Sequence, residues 1–287
     1  QLQVHLGEIL KDCARYPDGS AFQLKQKLSE QLGVATDRLT VGNGSNDVLE
    51  LLARVFLKPG HNTVVSQHAF VVYGLVTQSL GATLREVPCV DYQQDLDATL
   101  AMIDDQTRIV FIANPNNPTG TWVRRDALER FLKAVPATTL VVLDEAYVEY
   151  VDDPAYPNGL ALLDHYSNLV VTRTFSKAYG LAALRLGYAV SHPDVADLMN
   201  RIRQPFNVNS MALAAGLIAL DDPGHVAQGV AVNRQGLQDL NAGLADLSLA
   251  VIPSVGNFVC FDLGQDALPI YQALLMQGVI VRPIGVY

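Results

Sequence analysis

Lysine is scarce in this 287-residue chain, and between residues 134 and 287 it occurs only at position 177. No run of Lys or Arg exists, and the net charge is −9. The electrostatic footprint of a nucleic-acid or anionic-membrane binder is therefore missing. Cysteine occurs three times, at the isolated positions Cys13, Cys89 and Cys260. No Cys/His cluster has metal-ligand spacing, so neither a disulfide framework nor a zinc site is supported. No apolar run approaches the roughly 20 residues that a spanning helix needs. The opening Gln1-Leu2-Gln3-Val4-His5 has neither the basic head nor the apolar stretch of a signal peptide. These absences lead us to expect a reduced, soluble, cytoplasmic protein. The chain does not open on methionine, which fits a piece that begins inside a longer natural chain.

Hydrophobic residues make up 49% and charged residues 17%, the composition of a globular protein with a sizeable core. Strands are predicted over Thr63–Ser66, Arg108–Ala113, Leu140–Asp144, Leu169–Arg173 and Leu186–Val190. Runs such as Val110-Phe111-Ile112 and Val141-Val142-Leu143 are apolar at successive positions, as in strands covered on both faces. Helices are predicted between them. Ser20 and Gln23 have capping-box spacing, with Gly33 as the stop. Val48, Leu51, Leu52, Val55 and Phe56 form one helical stripe, and Leu128, Phe131, Leu132 and Val135 another. The expected fold class is α/β, a mostly parallel sheet sandwiched by helices, with a smaller α+β C-terminal lobe. That lobe is predicted as a long helix over about 210–244 followed by strands at Ala250–Ile252, Phe258–Phe261 and Val279–Arg282. The expected organisation is an N-terminal segment (1–32) making dimer and small-lobe contacts, a large domain (33–205), and an incomplete small domain (206–287).

Four stretches carry candidate chemistry. Gly42-Asn43-Gly44-Ser45-Asn46-Asp47 opens a helix, where free backbone N–H groups can meet a phosphate, or where Ser45 is simply an N-cap. It is neither a Walker A loop nor a dinucleotide fingerprint. Asn114-Pro115-Asn116-Asn117-Pro118-Thr119-Gly120 is a turn at the carboxyl end of a predicted strand, where open α/β sheets bind ligands. Asp144-Glu145-Ala146-Tyr147 ends the next strand. A carboxylate there needs a partner such as a protonated pyridine nitrogen, or else serves as a helix cap. Thr174-Phe175-Ser176-Lys177, with Arg185 beyond it, sets a lone amine among small apolar neighbours. Such an amine suits a Schiff base, and its two hydroxyls and guanidinium suit a phosphate dianion. In a doubly wound sheet these four places converge on one edge.

The series resembles the fold-type I pyridoxal-phosphate enzymes of the aspartate-aminotransferase superfamily, and within them the histidinol-phosphate aminotransferases. Arg15-Tyr16-Pro17-Asp18, the four stretches above, Gly180–Tyr188, Ser254–Phe258 and Gly278–Pro283 carry the likeness over nearly the whole chain. The resemblance implies the cofactor pyridoxal 5'-phosphate, with Lys177 as its Schiff-base lysine and Asp144 paired to its pyridinium nitrogen. It gives Asn117 and Tyr147 to the phenolic oxygen. It gives Ser45, Asn46, Thr174, Ser176 and Arg185 to the phosphate. Phe70 takes the place of the ring-stacking aromatic, usually tyrosine in the family. Tyr16 would reach the partner subunit's phosphate, so a homodimer with shared sites is implied.

The implied reaction is ping-pong transamination, with histidinol phosphate as amino donor and 2-oxoglutarate as acceptor, in histidine biosynthesis. Lys177 would carry the α-proton and Asp144 would keep the ring protonated. An N-terminal closing segment and a C-terminal segment with a carboxylate-gripping arginine, both usual in the family, fall outside the chain. Aromatic amino-acid transamination, a threonine-phosphate-decarboxylase-like lyase and, more distantly, a non-catalytic cofactor-binding regulatory domain stay open as alternatives. His5, His61, His68, His165, His192 and His225 read as structural or surface residues, with His68 alone near the expected site. Glu145 reads as a supporting residue, not a general base.

Overall fold

The computed structural model describes residues 7–285. The stretch Gln1–His5 lies outside them, as do Val286 and Tyr287. Seven strands, β1 (Leu39–Gly42), β2 (Asn62–Ser66), β3 (Thr83–Val87), β4 (Thr107–Ala113), β5 (Leu140–Asp144), β6 (Leu169–Thr174) and β7 (Gly187–Val190), form one sheet. Their order is β1-β7-β6-β5-β4-β2-β3. The five strands from β6 through β3 run parallel, while β7 is antiparallel to both β6 and β1.

Side-chain alternation along the buried strands feeds two cores. Val110, Ile112, Val141, Leu143, Leu169 and Val171 join one core, with Leu24 and Leu28 of the helix Phe22–Leu32 and Leu128, Phe131 and Leu132 of the helix Arg125–Ala134. Ile109, Phe111, Val142 and Val170 join the other, with Val48, Leu49, Leu51 and Leu52 of the helix Ser45–Phe56 and Met199 of the helix Pro193–Ile202. Each fully buried Leu, Ile or Phe contributes about 1.5–3 kcal/mol of transfer free energy. The sheet is thus a rigid floor whose loops are free to carry chemistry.

Strand polarity places the site. The carboxyl ends of β2, β4, β5 and β6 lie on one edge because the strands are parallel. Two successive reversals, β6 to β7 and β7 to β1, return β1 to the direction of β6. Gly187 pairs with both Thr174 and Gly42, so the Gly42 loop ends on that same edge.

The five expected strands form, with ends shifted by one residue in places. β1 and β3 were not expected: β1 has only four residues, and Thr83-Leu84-Arg85-Glu86-Val87 is a partly exposed edge strand that reads as polar. Ser20 does not cap the first helix. The Asp18 carboxylate accepts instead from Ser20 N, Ser20 Oγ and Phe22 N, at 2.8, 2.7 and 2.6 Å. Gly33 does end that helix, at φ 67°.

The long C-terminal helix is two helices, Ser210–Leu220 and Pro223–Asp246. Proline lacks the N–H to continue the first, and the Asp222 side chain caps the second by accepting from His225 N at 3.0 Å. Among the described residues the second sheet has two antiparallel strands, β8 (Ala250–Ile252) and β9 (Cys260–Asp262). The strand expected at Phe258–Phe261 therefore begins later. Among the described residues Val279–Arg282 belongs to no strand.

Candidate active site

Lys177 leaves the sheet through the turn after β6. Phe175 is fully buried and anchors that turn, its N–H donating to Leu186 O at 3.0 Å. Thr174 Oγ1 accepts from Ser176 N at 3.1 Å. Gly180, at φ 71°, donates to Lys177 O at 2.9 Å and closes the turn. Lys177 Nζ lies 5.2 Å from the centre of the Tyr147 ring. Burial holds its pKa below the ordinary lysine value; the nearby Arg185 acts in the same direction and Asp144 opposes both.

Asp144 is the last residue of β5 and is 4% exposed. A carboxylate so placed needs donors. Thr172 Oγ1, on the adjacent strand, donates to its Oδ1 at 2.9 Å, and Tyr73 Oη donates to Oδ2 at 2.9 Å. Burial raises the Asp144 pKa and these donors counter it. No helix starts at Asp144, so the helix-cap alternative does not hold. The next residue, Glu145, is turned away from the cleft. Its Oε2 accepts from Arg173 Nη2 at 2.7 Å and Nε at 2.9 Å, and its Oε1 accepts from Gly159 N at 3.0 Å.

The third part is an anion cradle. Ser45 is the first residue of its helix and not the cap: Gly44 precedes it at φ 83°, with no side-chain cap. The N–H groups of Ser45 and Asn46 precede the first intrahelical acceptor, and both residues line the cleft at the positive end of the helix dipole. Asp47 Oδ2 ties the loop back, accepting from Asn43 N and from Asn207 Nδ2, each at 2.8 Å. Arg185 Nη1 donates to Ser176 Oγ at 3.3 Å and to Ala182 O at 2.9 Å. Arg185 itself has φ 59°, a conformation that costs a non-glycine residue about 1–3 kcal/mol and marks functional sites. Packing here is close. A Cβ on Gly44 would stand 2.5 Å from Arg185 Nη2, and one on Gly187 would stand 2.3 Å from Ser45 N.

The asparagine turn after β4 is held by its own side chains. Asn114 Oδ1 accepts from Val123 N at 2.7 Å, and Asn116 Nδ2 donates to His68 O and to Thr119 Oγ1, each at 2.9 Å. Asn117 is thereby presented to the cleft, where its Nδ2 donates to Tyr147 Oη at 2.7 Å. Phe258 of the smaller lobe meets the Tyr147 ring edge-on at 5.2 Å. Ser45, Asn46, Phe70, Asn117, Asp144, Tyr147, Thr174, Ser176, Lys177 and Arg185 line one cleft. Tyr16 does not join them. It is 83% exposed and stacks on Phe206 at 4.7 Å. Sequence reading missed Tyr73, which also lines the cleft. The available signal was an aromatic three residues after Phe70; Tyr73 lies in the first turn of the helix Val72–Ser79, and its N–H donates to Phe70 O at 3.1 Å.

Residues 8–287 match the model of the family "Aminotransferase class I and II". The chain is 58% identical to histidinol-phosphate aminotransferase 2 of Pseudomonas fluorescens, over 97% of this chain and 75% of that protein. It is 57% identical to histidinol-phosphate aminotransferase 2 of Pseudomonas aeruginosa, over 97% and 75% of the two chains. The crystal structure of histidinol-phosphate aminotransferase from Sinorhizobium meliloti, in complex with pyridoxal-5'-phosphate, superposes with a TM-score of 0.93 at 32% identity, covering 98% of this chain and 77% of that one. With an amine, a buried carboxylate and an anion cradle meeting at the edge where β1, β4, β5 and β6 end, the chain belongs to the class I and II aminotransferases.

Proposed function

We propose that this aminotransferase uses pyridoxal 5'-phosphate to transaminate histidinol phosphate, with 2-oxoglutarate as acceptor, in histidine biosynthesis. One observation carries the cofactor reading: Lys177, Asp144 and the Ser45/Ser176/Arg185 cradle open into the same cleft. They offer an aldehyde, a ring nitrogen and a phosphate their matching partners. Glycine at 44 and 187 lets the helix start, β7 and Arg185 approach one another closely enough to form the cradle. The donor reading rests on the two Pseudomonas relatives and their names.

When bound, the cofactor supplies an aldehyde that condenses with amines and a ring that takes up the electron pair released at the substrate α-carbon. Lys177 would hold the cofactor through Nζ and, as a free amine, would accept the substrate α-proton on Nζ and give it back. Its depressed pKa favours the neutral amine that this proton transfer needs. Asp144 keeps a proton on the ring nitrogen by opposing its positive charge. Asn117 Nδ2 and Tyr147 Oη, already hydrogen-bonded to each other, orient the phenolic oxygen. Phe70 offers a ring face for stacking. Arg185, Ser176, Thr174 and the Ser45 and Asn46 amides fix the phosphate. Phe258 packs edge-on against the Tyr147 ring from the side of the smaller lobe.

We further propose a cytoplasmic homodimer in which Tyr16 reaches the partner subunit's phosphate. The exposed Tyr16–Phe206 stack is the feature that supports it. A donor panel, followed by the change from the aldehyde to the amine form of the cofactor, tests the substrate. Histidinol phosphate is expected to give the highest kcat/KM, well above aromatic amino acids, with no carbon dioxide released. Preference for an aromatic amino acid, or decarboxylation of threonine phosphate, would replace this donor assignment.

A further inference from the structure

Tyr73 touches Asp144, yet none of the roles above uses it. Its side chain is 1% exposed. The ring stacks on Phe111 at 4.7 Å and meets Phe70 edge-on at 5.7 Å. A phenylalanine would fill that space equally well, so the hydroxyl is the informative part. Burial, and then the Asp144 carboxylate, push the Tyr73 phenol well above its ordinary pKa, so Oη keeps its proton and acts as a donor. Its acceptor is Asp144 Oδ2, at 2.9 Å.

Asp144 stands in a contest. Burial favours its neutral form, and the like charge of Glu145 adds to that; bonds from Tyr73, Thr172 and the Ala146 backbone favour the carboxylate. A neutral carboxyl cannot oppose a positive ring. Thr172 secures Oδ1 alone, which leaves Tyr73 as the side chain that fixes Oδ2.

Resting on the pyridoxal-phosphate reading, we propose that Tyr73 is a positioning residue: its phenol keeps Asp144 charged and aimed, so that the cofactor's ring nitrogen stays protonated. The role belongs to the hydroxyl and acts only through the ring nitrogen. Replacing the donor should therefore weaken a ligand that has that nitrogen and spare one that lacks it.

The experiment titrates the cofactor-free protein with pyridoxal 5'-phosphate and with its carbocyclic analogue, in which carbon replaces the ring nitrogen. Schiff-base absorbance reports binding. Tyr73→Phe keeps the stacking ring and is expected to raise the Kd for pyridoxal 5'-phosphate about tenfold, the scale of a hydrogen bond to a charged group. The Kd for the analogue should stay within twofold of wild type. In an Asp144→Asn background the effect of Tyr73→Phe should vanish. An unchanged Kd in Tyr73→Phe overturns the assignment. So does an equal loss for both ligands, or a loss that persists without the Asp144 charge, because each points to packing. If the wild-type chain forms no Schiff base with either ligand, the cofactor reading itself fails and this inference falls with it.

Discussion

Lys177 illustrates how a residue's surroundings set its chemistry. Burial disfavours the ammonium form and Arg185 repels it, so the neutral amine is reached below the ordinary lysine value of 10.5. The rate of Schiff-base formation with pyridoxal 5'-phosphate should therefore rise with pH and level off below that value, as stopped-flow absorbance would show. A plateau only at or above an ordinary lysine pKa would contradict it. Lys177→Ala should abolish both the Schiff-base absorbance and turnover; wild-type turnover in that variant would end the assignment. Glu149 makes a different prediction. Its Oε2 is enclosed without a hydrogen-bond partner, and burial pushes its carboxyl up to about 7 from 4.5. The folded chain then holds this proton more tightly than the unfolded chain. Its stabilising effect is complete below pH 4.5 and is lost as pH rises towards about 7. Glu149→Gln should gain stability on the order of 1–3 kcal/mol at pH 8, from removing the charge that burial disfavours, and gain little near pH 5. Urea unfolding at the two pH values decides it, and an equal gain at both would reject the charge explanation.

Elements, more than residues, explain why the cradle is where it is. β7 enters the sheet at Gly187, directly against the backbone of Gly44 and Ser45. Gly187→Ala should therefore push the helix N-terminus off the phosphate position. The expected loss is at least tenfold, by order of magnitude, in affinity for pyridoxal 5'-phosphate, with a much smaller loss for phosphate-free pyridoxal; overpacking costs of about 1–3 kcal/mol set that scale. Equal losses for both ligands would mean general destabilisation. The motif residues of this edge were legible in the sequence because three of the stretches follow an apolar, β-branched run whose end marks a loop, and the Gly42 stretch opens a helix with an apolar stripe. Gly187 was legible only as part of Gly180–Tyr188, since its need for a bare Cα arises from β1 pairing across β7, a contact distant in sequence. β3 was hidden for a related reason: an edge strand keeps one face wet and loses the apolar signal. The caps failed where charge intervened, because Asp18 out-competes Ser20 as an acceptor. The long helix was misread because its apolar positions continue across Asp221-Asp222-Pro223, where only the proline announces the break.

At the scale of the whole molecule, Tyr16 is the test of how many chains make one site. It lies outside its own chain's cleft and presents a face that is 83% exposed. Leu75, Leu198, Ile202 and Phe206 are also exposed apolar side chains, and Leu75, Leu198 and Ile202 sit on helices that flank the helix Ser45–Phe56 opening the cradle. A second copy docking there would cover apolar surface and bring its Tyr16 towards a phosphate that the first copy holds. Mixed dimers separate this arrangement from a purely structural tyrosine. A Lys177→Ala chain is inactive but can lend Tyr16; a Tyr16→Ala chain keeps Lys177 but lends nothing. In a one-to-one mixture half the dimers are mixed, and each then contains one complete site and one that lacks both groups. Activity should recover to about a quarter of wild type by that symmetry, above the sum of the two parents. If Tyr16 served only its own chain, every active-lysine subunit would still carry the defect. No mixture would then exceed its parents, and the shared site would have to be abandoned even with the cofactor chemistry of Lys177 and Asp144 intact.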